Sequence, residues 1–260
     1  MRRLFGHTFL LRELIRRDFQ GRYAGSFLGF LWSFVQPLWQ LLLFSFVFST
    51  VMDIRPTDSG TERFWVFLFC GLLPWLAVQE GITRGATAVT DNSGLVKKLQ
   101  FPSQVLVVAV VLTALLHEAI AAGLFVAALG LIGELSWSSL PWLLVAVPLQ
   151  VALVLGLALA LAATHVFFRD TVQILGMVMA AWFYLTPIVY PLSMVPEPYD
   201  GWIAANPLTT LAGLYRRAFL GGTTGTTPEA IGWLAATAVG ILALGIWLFR
   251  RLRPSFVDEI

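Results

Sequence analysis

The feature that most constrains this chain is an apolar run, 27–52, that contains no charged side chain. Gln36 and Gln40 are its largest polar groups, and Pro37 is expected to kink any helix formed there. Crossing the hydrocarbon of a bilayer takes about 20 predominantly apolar residues. Five further stretches meet that requirement: 64–83, 105–133, 140–168, 171–190 and 230–249. These runs are continuous instead of alternating at every second residue, which excludes the strands of a membrane barrel. Helices remain as the structure that satisfies its own backbone in lipid. Composition agrees, with 58% hydrophobic and only 12% charged residues, against roughly 25% charged in soluble domains. The expected fold is one all-α integral membrane domain over 1–260 with six transmembrane helices.

Lys and Arg set the orientation. With Met1 inside, the inner segments hold Arg2, Arg3, Arg12, Arg16, Arg17, Arg22, Arg84, Lys97, Lys98, Arg169, Arg250, Arg251 and Arg253. The outer segments hold only Arg55, Arg63, Arg216 and Arg217. That asymmetry places both termini on the cytoplasmic side, and it requires an even number of spans. The N-terminal apolar residues are interleaved with charges, so no signal-peptide core is expected. The single cysteine, Cys70, lies inside an apolar run and reads as a small buried hydrophobe.

Two segments fit neither a span nor a plain loop. In 8–23, Leu11, Leu14, Ile15, Phe19 and Tyr23 recur at helical spacing while arginines fill the other positions. This pattern is that of an amphipathic helix on the cytoplasmic membrane surface, or of a basic arm that only enforces topology. In 193–222, Asn206-Pro207 supplies an N-cap followed by proline at the first helical position, and Gly221 supplies the stop. The helix between them reaches only about 21 Å, too short to cross. With Pro196, Pro198 and Trp202 ahead of it, the segment reads as a pair of re-entrant half-helices at the outer face. Such backbone is tolerated at depth only where protein or a wet cavity surrounds it, which makes the pair a candidate gate.

Ionisable groups inside spans are functional candidates because their burial in lipid is costly. His117 and Glu118 are adjacent and face different sides of the third span, so they do not form an i, i+4 metal pair. A proton relay and a helix-packing hydrogen bond both remain open for them, with the packing role favoured because a relay needs a chain of such groups. Glu80 and Arg84 have the favourable order for an ion pair on one helix. Gln36, Gln40, Gln150 and Gln173 either line a polar path or hold helices together. The aromatic residues read first as interfacial belts. Those nearer mid-helix, Trp39 and Trp182 with Tyr184 and Tyr190, offer flat faces suited to the apolar C–H surface of a sliding sugar chain. The sequence contains no phosphate-binding GxxxxGK[ST] loop, no HExxH and no nucleophile elbow. No enzymatic role and no bound metal are expected of this chain.

Several longer stretches are more specific. They are RRDFQGRYAGSFLGFLWSFVQPLWQLLLFSFVFS, GLLPWLAVQEGITRGATAVTDNSGLVKKLQFPSQVL, THVFFRDTVQIL, TPIVYPLSMVP and NPLTTLAGLYRRAFL. With LLPW, NxxLVKKxxFP and FFRD in this order and spacing, the chain resembles the permeases of ABC-type exporters for lipid-linked polysaccharides, those that move O-antigen, capsule and teichoic-acid chains. The resemblance implies a homodimer in the bacterial inner membrane enclosing a tunnel, driven by two copies of a cytoplasmic ATPase that carries the ATP and magnesium. It also implies roles. The stretch 91–101, with Asp91, Asn92, Lys97 and Lys98, corresponds to a coupling helix, and Arg169 and Asp170 to a second contact with the ATPase. Segment 8–23 corresponds to an interface helix, and 193–222 to gate helices carrying Trp202, Asn206, Tyr215, Arg216 and Arg217. Arg22, Lys97 and Lys98 are the nearest cations for a lipid phosphate, and Asn92 is placed to cap the coupling helix. The alternatives are a drug or small-lipid exporter of the same topology and, from another class, a membrane-embedded glycosyl- or acyltransferase.

Overall fold

The computed structural model of the protein describes residues 2–21, 29–56, 60–98, 102–222 and 226–260. These residues are nearly all helical and include no strand. In chain order the helices are α1 (Arg2–Gly21), α2 (Trp32–Phe44), α3 (Phe64–Thr87), α4 (Ser93–Lys98), α5 (Gln104–Ile132), α6 (Leu143–Phe167), α7 (Thr171–Tyr184), α8 (Glu197–Ala205), α9 (Pro207–Leu220), α10 (Pro228–Leu252) and α11 (Phe256–Glu259). Among the described residues, four helical segments are long and apolar enough to cross a membrane: Phe64–Thr87, Gln104–Ile132, Trp137–Phe167 and Pro228–Glu259. Val35–Val51 and Thr171–Tyr184 are shorter apolar helices.

The run 27–52 begins outside the described residues and enters as a 3-10 turn, Gly29–Leu31. Pro37 lies inside α2 without ending it, and the helix continues as a π-helix, Ser45–Val51. Met52 N donates to Val47 O at 3.0 Å, the wider i→i+5 bond. The forecast run 171–190 is helical only to Tyr184. Pro187 has no N–H and disfavours helical backbone at the residue before it. Thr186 therefore turns, and its hydroxyl donates back to Trp182 O at 2.8 Å. At 14 residues and about 1.5 Å each, α7 is shorter than the hydrocarbon.

α3 is the most deeply buried span, with Val66, Leu68, Cys70, Val78 and Ile82 fully enclosed. It packs against α5 and α6, and α6 packs most extensively against α10. Small residues decide that last contact. A Cβ on Gly245 would stand 2.1 Å from the Gly156 carbonyl oxygen, and one on Gly156 only 2.6 Å from the Leu242 backbone. Close backbone approach of this kind drives association where lipid removes the hydrophobic difference between partners. Arg63 pairs with Glu134 at 3.0 Å, tying the start of α3 to the end of α5.

Candidate functional site

Three features of the structure carry polar groups into or against the helical body. The first is on the side of α1, which lies along α5. Asp18 on α1 pairs with Arg84 on α3, and Arg84 also binds Glu80 at 3.3 Å. His117 Nδ1 approaches Glu80 at 3.7 Å, and its ring stacks on Phe19 with centroids 4.9 Å apart. His117 thus joins α5 to α1 and α3. The helix runs from Arg2 to Gly21, longer at its start than the forecast 8–23, and Arg22 lies outside the described residues.

Glu80, Arg84 and His117 also line an open cavity of about 730 Å³ between α2, α3 and α5. Gln36 and Gln40 line it from α2, Gln79 and Glu80 from α3, and His117 and Glu118 from α5. Polar lining at one end gives way to Phe69, Leu73 and Leu76 at the other. Gln173, by contrast, is exposed on α7.

The second feature is a buried hydrogen-bonded chain. Tyr215 of α9 donates to Gln150 Oε1 of α6 at 2.5 Å, and Gln150 Nε2 donates to Glu118 Oε2 of α5 at 2.7 Å. All three residues are buried. Glu118 therefore makes the helix-packing hydrogen bond that the packing alternative required, and Tyr215 reaches in from the α8–α9 pair.

That pair, α8 and α9, is the third feature. Asn206 caps α9 by accepting from Leu208 N at 3.0 Å, while Gly221 ends it at φ 79°. Asn206 also accepts from Trp182 Nε1 at 2.9 Å and donates to Thr186 Oγ1 at 2.9 Å. Arg216 donates to the carbonyls of Pro187 and Ile188 at 2.8 and 3.1 Å and lies 3.8 Å over the Phe67 ring. Gly71 makes the room, since a Cβ there would sit 2.9 Å from the guanidinium. Arg217 lies 3.7 Å over Trp142. The arginines that stand out on an apolar helix are thus anchors of that helix, using π faces and orphan carbonyls.

Of the aromatic path residues, Trp182 and Tyr184 stand in the last turn of α7 with Tyr190 bonded beside them, and Trp39 stands on α2. Trp39 is 65% exposed on the outward face of α2, and Tyr184 is exposed at the end of α7. Trp182 is committed to Asn206, and Tyr190 donates to the Tyr184 carbonyl at 2.8 Å. Trp202 stands 83% exposed on α8.

On the opposite face, α3 ends at a turn leading into α4. Asn92 does not use its side chain to cap α4: its Nδ2 donates to Ala88 O at 2.9 Å, bracing the preceding turn. Asp91 and Lys97 are exposed. The Lys98 side chain and 99–101 lie outside the described residues. Arg169 and Asp170 are both exposed between α6 and α7, and no ion pair joins them among the described residues. Thr171 closes that turn by donating to Phe168 O at 2.5 Å.

The family model described as ABC-2 type transporter matches residues 10–220. The chain belongs to the ABC-2 type transporter family. It is 32% identical over 271 residues to the O-antigen export system permease protein RfbA of Myxococcus xanthus, covering 100% of this chain and 98% of that protein. A permease of the same description from Klebsiella pneumoniae is 30% identical, over 97% of this chain and 96% of that protein. The polysialic acid transport protein KpsM of Escherichia coli is 24% identical, over 96% of this chain and 95% of that protein. As an ABC-2 family member the chain is a transporter membrane subunit.

Proposed function

We propose that this chain is the transmembrane subunit of an ABC transporter that exports a lipid-linked polysaccharide of O-antigen, capsule or teichoic-acid type across the bacterial inner membrane. The observation that carries this reading is the end-to-end likeness to permeases named for O-antigen and polysialic acid export. Two copies of the chain form the working unit, with six spans each and both ends cytoplasmic. A separate ATPase, also in two copies, binds ATP and magnesium. Its closure pushes α4 and the turn carrying Arg169 and Asp170, and both elements are short enough to pass a rigid displacement to the spans beside them. Lys97, Lys98 and Arg22 meet the lipid phosphate at the inner face, since Lys and Arg suit that anion. The glycan passes aromatic surfaces that include Trp39 and Tyr184, and α8 and α9 gate its exit.

The test is reconstitution with a candidate partner ATPase. The purified chain should dimerise, bind that ATPase and move glycan into vesicles only when ATP is hydrolysed. A chain that stays monomeric and indifferent to any such ATPase would sink the reading. Replacing Lys97 and Lys98 by Glu should leave hydrolysis running while export falls; unchanged export would remove both residues from coupling.

A further inference from the structure

α10 cannot continue past Leu252, because Pro254 follows within the 3-10 turn Arg253–Ser255. Beyond that turn Val257, Asp258 and Glu259 are exposed, but Phe256 turns back onto the helical body. Phe256 is 1% exposed. Its ring meets Phe249 of α10 edge-on, with centroids 5.3 Å apart and planes at 90°. It also meets Phe167 at 6.2 Å and 58°. Phe167 is the last residue of α6 and directly precedes Phe168, Arg169 and Asp170. The α11 turn that presents Phe256 touches both α6 and α4, and Ile260 packs against the same apolar body.

α4 has only six residues. A helix that short is not stable alone in water, so its orientation is set by what it packs against. Its inward contacts are Val96, 7% exposed, and Leu95, which packs against the same core, together with α11. One aromatic side chain thus stands where the ends of α6 and α10 meet, on the turn that braces α4.

We infer that Phe256 is a positioning residue for energy coupling: it clamps α4 and the turn after α6 into a single body attached to α10. This rests on the export reading above, in which those two elements receive the ATPase. A push on either element then moves both, together with the last span. Without the clamp, α4 keeps its sequence and charges but loses its fixed angle to the Arg169–Asp170 turn.

The experiment uses the full chain with its ATPase in proteoliposomes, comparing Phe256→Ala and Phe256→Leu. Glycan exported per ATP hydrolysed should fall several-fold in Phe256→Ala, with complex assembly and hydrolysis retained, and should largely return in Phe256→Leu. An unchanged ratio in Phe256→Ala overturns the proposal. A second measurement reads the clamp without transport. Spin labels at Lys97→Cys and Arg169→Cys, in a Cys70→Ala background, should give a narrow distance distribution in the otherwise native chain and in Phe256→Leu. Phe256→Ala should broaden it; equal widths overturn the proposal whatever the export assay shows. Absence of ATP-dependent export in the native complex, with the broadening present, would instead count against the export reading alone.

Discussion

Gln150 is the middle member of a buried chain linking three helices, and its replacement by Leu tests what holds α9 onto the spans. Leu fills nearly the same volume but has no amide. The change removes the 2.7 Å bond to Glu118 and the 2.5 Å bond from Tyr215. Between membrane helices a hydrogen bond contributes about 0.6–2 kcal/mol, and each buried group left unsatisfied costs roughly 1–3 kcal/mol. With both former partners buried, Gln150→Leu should destabilise by about 2–4 kcal/mol. Tyr215→Phe alone removes one bond and orphans one acceptor, for about 1–2 kcal/mol. The double variant should be less destabilised than the sum by about 1 kcal/mol, since the Tyr215 hydroxyl is no longer present to be stranded. Reversible unfolding in mixed micelles measures all three. A Gln150→Leu chain within about 0.5 kcal/mol of native, or strict additivity in the double variant, would refute the reasoning.

Gly245→Leu should separate α6 from α10, because even a Cβ would overlap the Gly156 carbonyl; loss of a folded, monodisperse species in detergent is the expected readout, and Gly232→Leu, which has open space around it, is the control. Asn206→Ala removes the cap of α9 and the acceptor for Trp182, so it should cost about 1–2 kcal/mol and raise labelling of a cysteine placed at Ile203; an unaltered labelling rate would show that Asn206 does not hold the pair. Gly71→Ala should force Arg216 off its carbonyls, lowering the midpoint of thermal unfolding, whereas Gly94→Ala, with nothing near, should leave it in place.

The helical character of α1 was readable from the chain because it is written in local terms. The arginines of α1 and the apolar residues between them repeat at helical spacing, and α1 is a helix along α5. The role of Asn92 was not readable: as a cap it satisfies the same local rule as Asn206, but the free carbonyl of Ala88 takes its amide instead. Asp18 was missed, although an acid inside a basic helix is a signal in its own right. Phe256 carried no signal that distinguishes it from the other aromatics of the chain.

What the sequence alone determined is everything that depends on a residue's own transfer energy or on neighbours one turn away. Apolar runs located the four long apolar helices but not all of their ends, since α3 runs on to Thr87 and α10 to Leu252, and α9 begins after Asn206 and ends before Gly221 as its cap, proline and glycine require. Tertiary structure decided which polar groups meet. Glu118 and Gln150 are 32 residues apart, Gln150 and Tyr215 are 65 apart, and the approach of Gly156 to Gly245 exists only once α6 and α10 cross. No periodicity encodes such pairs. They follow from how whole helices pack, and that packing turned the helix pair at 193–222 from a short capped segment into an element pinned by Tyr215, Arg216 and Asn206 to the spans beneath it.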